Sequence, residues 1–374
     1  MNIPPDSPRI LHVIADGAPG GGTTHVLQLL RSLSGHWQLG LATQRDSYLA
    51  RTARLLGVEC FEIDPFGRLA CVRVPGDLRR IVGAFSPDLI HAHGSRAAFL
   101  LALANPRTPI VHTLHGLHLL RRPWLSRWPA AMAQRYANRS AALTIFVSSA
   151  DLSLATRRGL APPEHRCRVI HNGIPPAGSG EAGSPLAKHV GFIGRLEYPK
   201  DPLLFLDVMA SLPDYSSEMV GGGSLAAELQ AEIRRRGVGN VQVHGTLPHE
   251  DALRRLRTFS VMLVTSRWEG LPIGILEAMR DGVPVVAPRI PGIDEVIEDG
   301  SSGLLTASRS PAELARAVRR VSEDPLLRQQ LVEGGKKRVQ DHFSEVQMVW
   351  NLQQTYRQVL QLPTGERASR RHGT

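Results

Sequence analysis

Short apolar runs bounded by glycine, proline or polar residues recur through the first half of the chain, at ILHVIAD (10–16), LGLAT (39–43), LIHAH (89–93), PIVHTLH (109–115), LTIFVSS (143–149) and CRVIH (167–171). Continuous runs of this length fit strands buried on both faces, as in a parallel sheet. Between them the apolar spacing changes to three and four, as in THVLQLLRSL (24–33), where Val26, Leu29, Leu30 and Leu33 line one helical face. Residues 173–187, GIPPAGSGEAGSPLA, break the alternation with small residues, glycine and proline, and are predicted to form a linker. The pattern then restarts at HVGFIG (189–194), SEMVGGG (217–223), VQVHG (241–245), VMLVTS (261–266) and PVVAP (284–288).

This periodicity predicts an α/β protein with two domains: residues 1–172, then the linker 173–187, then 188–340. A helix over 341–362 is long enough to reach back to the first domain, and the tail 363–374 is expected to be disordered. A length of 374 residues suits two domains rather than one. No apolar run is long enough for a membrane span, and the N-terminus lacks a basic segment leading into an apolar stretch, so a cytoplasmic location is expected. Cys60, Cys71 and Cys167 include no CxxC pair and are expected to be reduced, partly buried thiols.

Charge separates the two halves. Residues 1–172 carry 20 Arg, no Lys and 10 acidic residues, whereas 173–374 carry 24 basic and 24 acidic residues, so the whole net charge of +10 belongs to the first half. One half should therefore meet an anionic partner or surface.

Three motifs carry candidate chemistry. Gly20, Gly21 and Gly22 follow the first strand and lead into a helix with Thr23 or Thr24 as N-cap; backbone amides there can hold phosphate, or the segment is a plain turn. In GRLEYPKD (194–201), Arg195 and Lys200 on a strand-to-helix loop could converge on a diphosphate, or be two solvated surface charges. In TSRWEGLPIGILEAMRDGVPVV (265–286), Glu269 lies in the loop after a strand and Glu277 eight positions on, inside the next helix. Both would look into the crevice where open α/β sheets bind ligands, and both suit pairs of sugar hydroxyls.

These segments, with HTLHG (112–116), VIHNGI (169–174), GGGSLAAEL (221–229) and GVPVVAPRIPGIDEVIEDGSSGLL (282–305), resemble the retaining glycosyltransferases of family 4 over most of the chain. The resemblance implies the GT-B fold: two Rossmann-like domains facing across a cleft, with a C-terminal helix crossing back to the first. It implies transfer of a sugar from a nucleotide-sugar donor to a saccharide or lipid-linked saccharide. By the same resemblance Glu277 binds the ribose hydroxyls, and Glu269 with the amides of Gly270 and Leu271 holds the donor sugar. Arg195 and Lys200 neutralise the leaving diphosphate, Gly21 and Gly22 let backbone approach it, and His115 stands beside the sugar. His12, His91 and His112 are expected in the core, and His93 is left open.

No D-x-D triplet occurs, so neither a metal nor another cofactor is expected and the two cations must stabilise the leaving group. Two departures from the family pattern stand out: Pro175 and Pro176 where many members carry Asp after N-G-[IV], and EGLPIG where many read E-G-F-G-L-P. Residues 117–140 contain Trp124 and Trp128 with Arg121, Arg122 and Arg127 around them, the composition of an interfacial helix on anionic lipid or of a domain helix with a solvated basic face. A nucleotide-sugar 2-epimerase of the same fold is the rival enzyme. A nucleic-acid binder is the rival class, disfavoured by an aromatic content of 5% and the lack of any nucleic-acid motif.

Overall fold

The computed structural model describes residues 7–117, 124–177 and 186–361, with the side chains of 124–126 outside the description. Residues 178–185 of the expected linker, the tail 363–374, Arg121, Arg122 and the Trp124 side chain thus lie outside the described residues. The chain divides into two compact units, Met1–His171 with Met348–Thr374, and Asn172–Gln347.

The first unit runs β1 (Arg9–Ile14), α1 (Gly21–Leu33), β2 (Gln38–Gln44), α2 (Tyr48–Leu55), β3 (Glu59–Ile63), α3 (Ala70–Phe85), β4 (Leu89–His93), α4 (Gly94–Ala104), β5 (Ile110–Leu114), α5 (Trp124–Ser140), β6 (Leu143–Phe146), α6 (Ser149–Arg157) and β7 (Cys167–Val169). The second runs β8 (His189–Ile193), α7 (Pro202–Ala210), β9 (Ser216–Val220), α8 (Ala226–Arg236), β10 (Val241–Gly245), α9 (His249–Leu256), β11 (Val261–Leu263), α10 (Ile273–Arg280), β12 (Val285–Pro288), α11 (Ile293–Val296), β13 (Leu304–Thr306), α12 (Pro311–Glu323) and α13 (Pro325–His342). Helix α14 (Glu345–Gln361) follows.

Both sheets are parallel throughout, in the orders β3-β2-β1-β4-β5-β6-β7 and β10-β9-β8-β11-β12-β13. Each order reverses once, between β1 and β4 in the first unit and between β8 and β11 in the second. Such a reversal splays the outgoing loops apart at the carboxyl ends of two adjacent strands, which is where doubly wound sheets take ligands. The Gly20–Gly22 segment follows β1, Arg195 and Lys200 follow β8, and Glu269 follows β11, so the sequence motifs fall at these two points.

Helices cover the sheet faces through apolar stripes. Leu29 and Leu33 of α1 pack with Ile10, Leu89 and Val111, and the same cluster takes in Met348, Leu352, Tyr356 and Val359 of α14. The last helix therefore completes the first unit's core, which explains why its apolar residues recur at three and four. In the second unit Val190, Val261, Leu263 and Val286 of the strands meet Leu204, Phe205, Leu314 and Val318 of α7 and α12. Gly191 is required there, since a Cβ would stand 1.8 Å from the Phe259 ring.

Two local expectations change. Helix α1 begins at Gly21 with Gly20 at its N-cap, so neither Thr23 nor Thr24 caps it; the Thr23 hydroxyl donates instead to Ala18 O at 2.6 Å. Of the three free thiols, Cys60 is half-buried and Cys167 buried, but Cys71 is exposed on α3.

Candidate active site

In the second unit the loops after β8 and β11 are fastened to each other. Thr265 donates to the carbonyls of Lys200 and Asp201 at 2.9 and 3.0 Å, and Arg267 N donates to Pro199 O at 2.8 Å. Asp201 is buried with φ +50, the left-handed region that a short polar side chain tolerates. Its carboxylate takes Arg267 at 2.7 Å and also Arg309, whose guanidinium reaches Thr265 O at 3.1 Å. The result of this bracing is a close contact: Lys200 Nζ lies 2.5 Å from Glu269 Oε1, which the Ser266 hydroxyl also meets at 2.5 Å. Both bonds fall on Oε1, leaving Oε2 of a largely buried carboxylate for a further hydroxyl donor. An ammonium has three N–H groups, so Lys200 can hold Glu269 and an anion together.

A third loop backs the first. A Cβ at Gly221 would stand 1.9 Å from Gly194 O and one at Gly223 would stand 2.4 Å from Leu196 O, so the glycines of GGGSL let two backbones touch. Glu197 closes the contact by accepting Ser224 N and Oγ at 2.9 and 2.7 Å, bonds that hold its carboxyl below the usual range. Arg195, between these residues, is exposed.

Glu277 sits on α10, which opens at Ile273 after Pro272. It is buried, not a solvated helix residue, and burial pushes its carboxyl up to about 7 against the weaker pull of Arg280. His249 Nε2 of α9 lies 3.3 Å from its Oε1. Gly270 and Leu271 are buried in the segment leading to α10, where the unpaired N–H groups of a helix start favour anions. Two contacts fix that segment: Asn172 Nδ2 donates to Leu271 O at 3.0 Å, and a Cβ at Gly292 (φ +87) would stand 2.3 Å from Gly270 O.

In the first unit Gly21 is exposed and Gly22 half-buried at the start of α1, and His115 is half-buried just beyond β5. His115 is edge-on to His25 with ring centroids 4.9 Å apart and stacks on His93 at 5.7 Å. His12, His91 and His112 are fully buried, as expected, and His93 joins them. Arg127 and Trp128 are exposed on α5, and Trp128, Met132 and Tyr136 form an exposed stripe spaced four residues apart.

The structure thus brings Lys200 and Glu269 into contact, where the sequence assigned them to separate parts of a ligand. It gives Glu277 its own buried setting on the following helix. The reading of the sequence missed Asp201, Thr265, Ser266, Arg267, Arg309, Asn172 and His249. Asp201 and Thr265 to Arg267 stood inside the motifs quoted, but no sequence signal joins Arg309 to them.

Residues 186–338 match the family described as glycosyl transferases group 1, and residues 19–177 match glycosyltransferase family 4. A relative, D-inositol 3-phosphate glycosyltransferase 1 of Catenulispora acidiphila, is 26% identical over 74% of this chain and 82% of its own length. Alpha-D-kanosaminyltransferase of Streptomyces kanamyceticus is 27% identical over 68% of this chain and 72% of its own. Among solved structures, Anabaena HepE in complex with UDP-glucose superposes with a TM-score of 0.82 at 21% identity, covering 94% of this chain and 99% of that one. Sucrose-phosphate synthase from Thermosynechococcus elongatus gives 0.79 at 19%, with 94% and 99% covered. The two parallel-sheet units are those of the GT-B fold.

The burial of Glu277 has a measurable consequence. Its folded-state value of about 7 exceeds the ordinary 4.5, so between those values the native protein holds a proton that the unfolded chain releases. The stability it contributes is full below pH 4.5 and is lost as pH rises through 7. Relative to Glu277→Gln, the wild type is expected to lose on the order of 3 kcal/mol of unfolding free energy across that window, read from urea denaturation at each pH. A difference that stays constant from pH 4.5 to 8 would contradict the assignment.

Proposed function

We propose a specific reaction for this chain, which belongs to the glycosyl transferases group 1 family and is a nucleotide-sugar-dependent glycosyltransferase: it moves a sugar with retention of anomeric configuration onto a saccharide or lipid-linked saccharide, in the assembly of a surface or exported glycan. The observation that carries the donor half is the Lys200 and Glu269 contact at the carboxyl ends of β8 and β11, with buried Glu277 on the next helix. Cleaving a sugar–phosphate bond builds positive charge on the anomeric carbon and negative charge on the departing diphosphate, so fixed cations there lower the barrier most. Lys200 supplies one, already placed by the Asp201 bracing, and exposed Arg195 on the same loop supplies the other.

Glu269 accepts donor-sugar hydroxyls through Oε2 and is aided by the Gly270 and Leu271 amides. Glu277 accepts the ribose hydroxyls, whose bonds favour its ionised form over the protonated one that burial favours. From the first unit, His115 contacts the donor sugar and the Gly21 and Gly22 backbone contacts the diphosphate. No metal or other cofactor takes part in the leaving-group step, because the two cations fill that role. The acceptor attacks from the face the diphosphate leaves. A 2-epimerase would release an epimerised nucleotide sugar without any acceptor, and no observation favours it over transfer.

The acceptor half is read from charge and exposed aromatics. The first 172 residues hold the entire positive excess, and α5 exposes Arg127 beside the Trp128, Met132 and Tyr136 stripe. An apolar stripe flanked by arginines suits docking on anionic lipid at the inner face of the plasma membrane, with the protein otherwise cytoplasmic. Nucleic acid is not a partner in this reading.

Lys200→Ala and Arg195→Ala are each expected to lower turnover of a nucleotide sugar by about 100- to 1000-fold with the fold intact, while EDTA changes little. A near-normal rate in folded Lys200→Ala, or inhibition by EDTA reversed by Mg²⁺, would refute the metal-free clamp. For the membrane, co-sedimentation with phosphatidylserine vesicles is expected at low salt, falling steeply as salt rises, and is expected to be lost in Arg121→Glu, Arg122→Glu, Arg127→Glu. A wild type that stays in the supernatant with such vesicles makes the acceptor a soluble molecule.

A further inference from the structure

The first unit buries more imidazoles than its core needs. Of its central strands, β1 carries His12, β4 carries His91 and His93, and β5 carries His112, while His25 of α1 and His115 lie against them. A neutral imidazole has one donor and one acceptor to satisfy, and leaving either buried without a partner is costly. His91 satisfies both, with Nδ1 2.5 Å from the Tyr356 hydroxyl and Nε2 2.7 Å from Thr113 Oγ1. His93 does not. Its Nε2 lies 3.0 Å from His12 Nδ1, but its Nδ1 is buried with no hydrogen-bond partner, and so is Nδ1 of His25.

His25, His93 and His115 each offer a ring nitrogen such that the three lie within 4.8 Å of one another. His12, His91 and His93 form a second trio as close, but both nitrogens of His91 are engaged there. We propose that His25, His93 and His115 bind one divalent transition-metal ion of the zinc class, on residues other than the Arg195 and Lys200 pair.

Three imidazoles suit zinc or cobalt and not magnesium or calcium, which take oxygen ligands. Bonds of about 2.05 Å in a tetrahedron set the nitrogens about 3.3 Å apart, so small side-chain rotations close the trio onto an ion and leave a fourth position open. Burial, reinforced for each ring by its imidazole neighbours, holds His25 and His93 well below the ordinary histidine value, so protons do not compete for them near neutrality. His93 would ligate through Nδ1, which places its proton on Nε2 and makes it the donor to His12 Nδ1. His12 then fixes the tautomer and ring orientation, as an outer contact does in built metal sites. One consequence rests on the donor reading above: an ion held here engages His115 and so withdraws it from the sugar.

Titration of the metal-stripped full-length chain with Co²⁺, followed by Zn²⁺, is the test. One Co²⁺ per chain with the visible absorption of tetrahedral cobalt is expected, displaced by one Zn²⁺. His25→Gln and His93→Gln should each weaken binding by at least about tenfold, and exposed His36→Gln should leave it unchanged. No stoichiometric cobalt spectrum in the wild type, or one retained in folded His25→Gln, overturns the site whatever the donor chemistry proves to be. Zn²⁺ that inhibits transfer by the wild type but not by His25→Gln supports the link to His115. Stoichiometric binding without inhibition keeps the site and removes His115 from the donor.

Discussion

Asp201 is a buried carboxylate on which two arginines from distant parts of the second unit converge. Arg267 belongs to the loop after β11 and Arg309 to the segment after β13, while Asp201 itself closes the loop after β8. Because β8 and β11 are the neighbours at the reversal of strand order, the bracing spans the place where a doubly wound sheet offers its ligand crevice. Asp201 is buried while its two arginines keep partial access to solvent, so parting the loops would strand the carboxylate rather than the cations, and the loops have little freedom to part. Lys200 and Glu269 are the two ends of that bracing, and the proposed function assigns both to the donor. Their contact is a result of the backbone bonds through Thr265 as much as of their own charges.

Preorganisation of this kind is what transfer from a diphosphate requires. An ammonium that had to be gathered from solvent would lose rotamer entropy at the moment of binding; one already anchored at a carboxylate does not. The glycines serve the same purpose from behind, since contact between the Gly221 and Gly194 backbones leaves the Arg195 loop no room to retreat. In the first unit, α14 closes the core under His91 through Tyr356, so the last helix and the histidine-rich strands form one packed layer.

The alternation of apolar runs located eleven strands and the break between the halves, but β3 and β13 escaped it for a physical reason. Both are edge strands: β3 is only five residues long and two of them are Glu59 and Glu62, and β13 is a run of three. Buried central strands read as continuous apolar stretches, whereas the carboxylates of β3 break its run and β13 is too short to stand out; the other two edges, β7 and β10, lie within the runs CRVIH and VQVHG and were legible. The positions of Arg195, Lys200, Glu269 and Glu277 on their loops and helix were legible because each lies within a few residues of a strand end or helix start. Contacts that depend on long-range packing were not. Arg309 lies 108 residues from Asp201, and nothing in its own neighbourhood marks it as a partner. The raised value of Glu277 was equally hidden, since the same helix position could have faced solvent.

The central claim is that Lys200, held at Glu269, exists to take the donor's diphosphate. Calorimetric titration of the full chain with the mono- and diphosphates of uridine, guanosine and adenosine, repeated on Lys200→Met, tests it most directly. The wild type should bind one diphosphate at least about tenfold more tightly than its monophosphate, one charge-assisted contact's worth, and Lys200→Met should erase that preference while still binding the monophosphate. A folded Lys200→Met protein that keeps the full preference for the diphosphate would contradict the account.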